Sequence, residues 1–155
     1  MYKRKTSKSD RRVTCKPKRS PLKPLMSEAE KDQADIYALS YDFACRIVRL
    51  YQYLTDTPTQ HVTEFVISKQ ILRSGTSIGA NVSEAQHAQS KPDFLAKMTI
   101  ASKEANETAY WLSLLHDNGY ITDTQFDSVD NDMQRILRLI ISIVKTTRQN
   151  IEAKR

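Results

Sequence analysis

The chain has 155 residues and a formal net charge of +6, with 39% hydrophobic residues and two cysteines. This length suits one domain whose core needs no disulfide framework, and Cys15 and Cys45 are too far apart for a CxxC redox pair. No apolar run approaches the ~18 residues that span a bilayer, and the amino terminus does not resemble a signal peptide, so we expect a cytoplasmic setting.

The positive charge is concentrated in residues 1–26. This segment has ten basic residues and one acid, for a net charge of +9, whereas the rest of the chain carries −3. With three prolines and few apolar residues, it cannot bury enough surface to offset the entropy of ordering. We therefore predict a disordered basic tail at 1–26 and a folded domain at 27–155. The tail cations expected to contact phosphates are Lys3, Arg4, Lys5, Lys8, Arg11, Arg12, Lys16, Lys18 and Arg19.

Four capping signals predict four helices in the folded domain. In each signal a hydroxyl residue is followed three positions later by an acid or amide, as in a capping box. The four pairs are Ser27/Glu30, Thr57/Gln60, Ser90/Asp93 and Thr122/Gln125. Each segment carries apolar residues at helical spacing, and short connections force neighbours to be antiparallel. The prediction is an all-α, up-down-up-down four-helix bundle, in which Gly119 ends the third helix as a left-handed cap residue.

The stretch RSGTSIGAN, residues 73–81, allows two interpretations. A phosphate-binding loop would need a strand before it and a Gly-Lys-Ser or Gly-Lys-Thr ending, and neither is clearly present. Apolar residues instead recur at helical spacing straight through Gly75 and Gly79. A glycine inside a helix costs about 1 kcal/mol relative to alanine, so two of them suggest a packing reason. We favour a helix whose glycines let another helix or subunit come close.

The third and fourth predicted helices carry apolar residues outside their main stripes. A second apolar face of this kind usually marks an interface, so we predict a homo-oligomer, the alternative being a slightly apolar monomer surface. The predicted interface residues are Ile100, Trp111, Leu114, Leu115, Leu137 and Ile141.

The residues offer little for catalysis. His61, His87 and His116 fall on three segments without the HExxH spacing of a metal site. Glu104 and Glu107 lack the Glu-x-x-His pairs of a di-iron bundle. We predict no enzymatic activity, metal or cofactor.

Binding to RNA or DNA is the better-supported class. Basic residues neutralise phosphates and release counterions, which gives affinity with little sequence preference. Besides the tail, the predicted contacts on outward helix faces are Lys69, Arg73, Arg135, Arg138, Lys145 and Arg148. The helix dipole alone would also favour the cations near the end of the fourth helix. A membrane surface is disfavoured because the tail lacks interleaved apolar anchors or a lipidation signal. The competing function is a protein-interaction scaffold whose tail contacts acidic partners.

Helices two and three also carry a family resemblance. The stretch SKQILRSGTSIGANVSEAQHAQSKPDFLAKMTIASKEANETAYWLSLLHDNGYI, residues 68–121, closely resembles the bacterial four-helix-bundle family named after the 23S ribosomal RNA intervening-sequence protein. The similarity covers about residues 35–150 and includes the glycine run and the segment Glu107–Leu112 before the Gly-Tyr turn. Many members have proline where this chain has Gly79, so a milder bend is expected here.

The resemblance implies the bundle fold and leaves the activity open, because most members have no determined role. A related group, the accessory variability proteins of diversity-generating retroelements, forms barrel-like pentamers with basic surfaces that bind nucleic acid and a reverse transcriptase. The resemblance therefore implies a pentamer and a reverse transcriptase partner. The basic tail departs from the usual family length, and its role rests on charge alone.

Overall fold

The computed structural model describes residues 28–56 and 64–153, with side chains from residue 35. It contains four helices, α1 (Glu28–Thr55), α2 (Ile67–Ala85), α3 (Lys91–Asp117) and α4 (Asp123–Glu152). Each helix packs against the next in the chain, and α1 closes the bundle against α4. The predicted all-α, up-down-up-down bundle is confirmed. The predicted tail lies outside the described residues.

The core is a single cluster of apolar side chains between the four helices. It follows the predicted stripes, because residues three and four apart share one face of a helix. Leu39, Leu50, Phe94, Phe126 and Val144 lie at its edges and are partly buried. The largest side chains that are almost completely buried are Phe43, Ile36, Ile47, Leu54, Ile71, Ile78, Met98, Leu112, Leu115, Met133, Ile136 and Ile140.

Two predicted helix starts carry the expected caps. At the start of α4, the Gln125 amide N–H donates to Thr122 Oγ1 over 3.3 Å, and the Thr122 amide N–H donates to Gln125 Oε1 over 2.9 Å. This completes a capping box. At the start of α3, the Asp93 amide N–H donates to Ser90 Oγ over 3.2 Å. The signals at Ser27 and Thr57/Gln60 lie outside the residues whose side chains are described.

Helix α3 ends in a Schellman motif around Gly119. Gly119 has a φ of 75°, a left-handed conformation that favours glycine. The Tyr120 amide donates to the Leu115 carbonyl over 2.9 Å, and the Gly119 amide donates to the His116 carbonyl over 2.9 Å. The predicted role of Gly119 is confirmed.

The start of the second helix was predicted too early. Helix α2 begins at Ile67, not after Thr57, and its first turn is capped by the buried carboxylate of Glu64. Glu64 accepts hydrogen bonds from the amides of Val66, Ile67 and Ser68 over 2.7, 2.7 and 2.5 Å. A helix start has four amides without intrahelical partners, and this one side chain satisfies three N–H groups there. The hydroxyl pattern at Thr57 fits the usual rule for helix caps better than Glu64 does, because glutamate is not among the preferred cap residues.

Glu64 should therefore make stability depend on pH in the acid range. Burial acts to raise the pKa of its carboxyl, but the three backbone N–H bonds outweigh burial and hold the pKa below its usual value. With a folded pKa below the unfolded value of about 4.3, the carboxylate stabilises the fold above that pH. This stabilisation is lost as pH falls through the folded pKa. We expect Glu64→Gln to lower the free energy of unfolding by about 1–3 kcal/mol at pH 7.

Urea unfolding of wild type and Glu64→Gln between pH 2 and 7 measures this difference. The difference should shrink towards low pH. Asp42→Asn, which removes an exposed carboxylate from α1, serves as the control and should be nearly neutral. Equal stability of wild type and Glu64→Gln at pH 7 would contradict the capping role.

The two glycines of α2 bring α1 close. A Cβ atom added to Gly75 would lie 2.8 Å from Ile47 Cγ1, and one added to Gly79 would lie 3.3 Å from the Ser40 carbonyl oxygen. The helix runs without a break through residues 73–81, so these residues do not form a phosphate-binding loop. The neighbour that approaches is α1 of the same chain.

Arg46 joins α1 to α4, whose backbones approach less closely than those of the other three adjacent helix pairs in the described chain. Its guanidinium donates to the Ser128 carbonyl over 2.9 Å and to Ser128 Oγ over 2.8 Å, and it also pairs with Asp132. One arginine therefore makes contact with two successive turns of α4. These bonds fasten the later part of α1 to the first turns of α4, where the bundle closes.

Candidate nucleic-acid interface

Helix α4 presents a row of exposed cations. Its buried residues, from Val129 to Ile143, all lie on one side of the helix, and the basic residues fall outside that side. The members of this α4 row are Arg135, Arg138, Lys145 and Arg148, and all four are exposed. None of the four forms an ion pair within the part of the chain that the structure describes. Their charges are therefore not neutralised by neighbouring carboxylates of the described chain.

The two predicted nucleic-acid contacts on α2 lie on a different surface from the α4 row. Lys69 is exposed, whereas Arg73 forms an ion pair with Glu107 of α3. The same Glu107 oxygen accepts the indole N–H of Trp111 over 3.1 Å. Helices α2 and α4 are diagonal in the bundle, so Lys69 and Arg73 do not share a surface with the α4 row. The nine predicted contacts of the tail lie outside the described residues.

A groove between α3 and α4 adds a cation that was not predicted. This α3/α4 groove has a volume of about 450 Å³. Its lining is Thr99, Ser102, Lys103, Ile141, Val144, Lys145, Arg148, Gln149 and Glu152. Lys103 lies on α3, where the helical pattern alone shows that it points away from the core. Only the pairing of α3 with α4 brings it beside Lys145 and Arg148, so sequence periodicity could not have found the cluster.

The assignment of Leu115 to an oligomer interface is wrong. Its side chain has an exposed fraction of 0% and belongs to the core. The physical reason is its spacing, because Leu115 follows Leu112 by three residues and extends the buried stripe of Ala105 and Thr108.

The other predicted interface residues do not form one patch. Trp111 and Leu137 are partly buried against the core, and Leu114 is half-buried. Ile100 and Ile141 are 40% and 52% exposed. Trp111 lies towards α2 through its bond to Glu107, whereas Ile141 lines the α3/α4 groove.

His116 ties the end of α3 to the start of α4. Its Nε2 lies 2.8 Å from Asp123 Oδ1, its Nδ1 lies 3.2 Å from Asp117 Oδ1, and its ring stacks on Phe126 with centroids 4.5 Å apart. The hydrogen bond to Asp123, with a further one to Asp117, raises the pKa of His116. These contacts suit a structural link across the turn.

No metal site is formed by the described side chains. Among residues 35–56 and 64–153, no three His, Cys, Asp or Glu side chains come close enough together to hold a metal ion. Glu107, which was considered as a carboxylate ligand, pairs instead with Arg73. None of the described helices combines the length and the apolar character that a bilayer crossing needs.

Comparison with known proteins identifies the family. The family model of the 23S rRNA-intervening sequence protein matches residues 32–142. A crystal structure of a protein of unknown function from the S23 ribosomal protein family of Bacteroides thetaiotaomicron is 53% identical, with a TM-score of 0.69. That similarity covers 74% of this chain and 98% of the other chain. No curated protein matches. The chain therefore belongs to the 23S rRNA-intervening sequence protein family.

Proposed function

We propose that this protein is a non-enzymatic, oligomeric, cytoplasmic protein that binds RNA or DNA. The observation that carries the proposal is the α4 row, four exposed cations without acidic partners in the described chain. Nucleic acid releases condensed counterions when such cations meet its phosphates, and this release drives binding of any sequence. Cations held in internal ion pairs would contribute less, because they would first have to leave their carboxylates.

The distribution of charge along the chain supports the same partner. Residues 1–26 carry a net charge of +9, whereas the remaining residues carry −3. A surface or segment with one sign of charge attracts polyanions over distances of about one Debye length, ~8 Å at physiological salt. The proposal therefore assigns phosphate contacts to the tail as well as to the α4 row.

The oligomer and its partner are separate parts of the proposal. Exposed Ile100, which lies outside the α3/α4 groove, supports association between copies, since a large apolar side chain at the surface favours burial. A pentamer and a reverse transcriptase partner follow from the resemblance to retroelement accessory proteins. Size-exclusion chromatography with light scattering tests the subunit number, and a clean monomer at micromolar concentration would contradict an oligomer. Co-purification with a reverse transcriptase encoded nearby tests the partner.

The salt dependence of binding tests the nucleic-acid proposal. We expect full-length protein to bind mixed-sequence duplex DNA with an affinity that falls steeply with salt. Each phosphate contact contributes about 0.9 to the slope of log K against log salt, so replacing the four residues of the α4 row by glutamine should reduce the slope by about 3 to 4. Filter binding at several salt concentrations gives both slopes.

A control variant tests whether the change in slope comes from the α4 row or only from the lower total charge. Arg49→Gln with Lys91→Gln removes two exposed cations from α1 and from the start of α3. We expect this variant to keep nearly the wild-type slope. An equal slope for wild type and the four-residue variant would exclude the α4 row as the contact surface. Absence of salt-dependent binding to both RNA and DNA would leave a protein-interaction scaffold as the function.

A further inference from the structure

The α3/α4 groove collects positive charge from two helices. Lys103 of α3 and Lys145 and Arg148 of α4 line it, and all three are exposed. None of them forms an ion pair within the described residues, and Glu152 is the one carboxylate among the described lining residues. The groove therefore has an excess of cations suited to several phosphates of one strand.

An exposed aromatic ring lies on the same side of α3 as Lys103. Tyr110 follows Lys103 by seven residues, or nearly two full turns, and this places it about 10 Å further along the same side of the helix. The ring is 58% exposed. It makes an edge contact with Trp111, at a centroid distance of 4.9 Å and an interplanar angle of 69°. An aromatic ring with an open surface can accept a stacked base.

Helix α4 offers an apolar contact beside these groups. Ile141 lines the groove and is 52% exposed, and it precedes Arg148 by seven residues. Each helix of the groove therefore carries a large exposed non-polar surface two turns from a cation. Phosphate contacts alone would explain the cations but not these two side chains.

We propose that the α3/α4 groove binds a single-stranded segment of nucleic acid, with Tyr110 stacking on an unpaired base and Lys103, Lys145 and Arg148 contacting phosphates. This inference rests on the proposed nucleic-acid function and specifies that the bound nucleic acid is single-stranded. In a duplex the base faces are already stacked, so an exposed tyrosine has no base to receive. In a single strand, each base offers a face to an aromatic side chain and each phosphate offers a charge.

Fluorescence anisotropy with the full-length protein tests the groove. The probes are a labelled 20-nucleotide mixed-sequence RNA strand, the DNA strand of the same sequence, and the corresponding DNA duplex. We expect Tyr110→Leu to raise the Kd for both single strands at least fivefold and to change the duplex Kd less than twofold. Tyr110→Phe should bind like wild type because it keeps the ring. Tyr53→Leu, which removes an exposed tyrosine from α1, should also bind like wild type.

The outcomes distinguish this inference from the function on which it rests. If Tyr110→Leu binds both single strands within twofold of the wild-type affinity, the proposal of single-strand binding in the groove is overturned. The α4 row would then remain as a contact for duplex. An equal loss on single strands and duplex would also overturn it, because stacking would then not be the cause. A wild-type protein that binds none of the three probes would overturn both proposals. Equal effects on the RNA and DNA strands support recognition of base and phosphate alone, since only RNA carries the 2′-hydroxyl.

Discussion

Replacing Leu115 with alanine is expected to lower the free energy of unfolding by about 3 kcal/mol without changing the number of subunits. The side chain has an exposed fraction of 0% and lies in the core of its own chain. Alanine would remove buried apolar atoms and leave a cavity that the surrounding helices fill only in part. Urea unfolding measures the change in stability, and light scattering measures the mass of the assembly.

Leu114→Ala is the matched control for Leu115→Ala. The two leucines are adjacent, but Leu114 is half-buried and lies outside the core cluster. Its replacement should therefore cost less than about 1.5 kcal/mol, since fewer buried atoms are lost. If Leu115→Ala is as stable as wild type but its assembly has a different mass, Leu115 lies at an interface between copies.

Replacing Gly75 with leucine is expected to destabilise the fold by about 3 kcal/mol. Even the first added carbon would lie 2.8 Å from Ile47 Cγ1 and 2.9 Å from Ile47 Cγ2. Because Ile47 is fully buried, it has no free space into which it can move. Helices α1 and α2 must therefore separate or distort. Ala80→Leu places the same side chain on the exposed side of α2 and should change the stability little.

A double-mutant cycle attributes the effect to this one contact. Gly75→Ala on its own gains about 1 kcal/mol of helix propensity but meets the clash with Ile47. Ile47→Ala removes the γ carbons that the new Cβ would meet. In that background, Gly75→Ala should change the free energy of unfolding more favourably, by about 1 kcal/mol or more, than it does in wild type. If Gly75→Ala stabilises both backgrounds equally, close approach is not the reason for the glycine.

Helical periodicity and caps predicted most of the fold, because both act over only a few residues. The caps at Ser90 and Thr122 and the Gly119 turn depend on residues within five positions of one another, and the sequence displays all of them. The start of α2 was not predicted correctly, although its cap is equally local. A hydroxyl pattern at Thr57 matched the usual rule, whereas the actual cap is Glu64, which binds three amides within four residues but is not of a preferred cap type.

The candidate site was less predictable because it depends on which helix faces which. The outward cations of α4 follow from periodicity, yet Lys103 becomes part of their surface only through the α3/α4 pairing. The pairing of Arg73 with Glu107 likewise joins residues 34 positions apart. Leu115 shows a different limit, since it was assigned with Leu114 to the second apolar face although it lies on the buried side of α3, three residues after Leu112.

The boundary between α1 and α4 is where the native molecule should open first. The bundle should open most readily where its helices approach least closely, and here that boundary is bridged by Arg46 and the two turns of α4 that it joins. Transient breathing of the native state should begin by α1 swinging away from α4 while remaining hinged on α2. Solvent, and any small apolar molecule that reaches the interior, would enter through that gap rather than between α2 and α3.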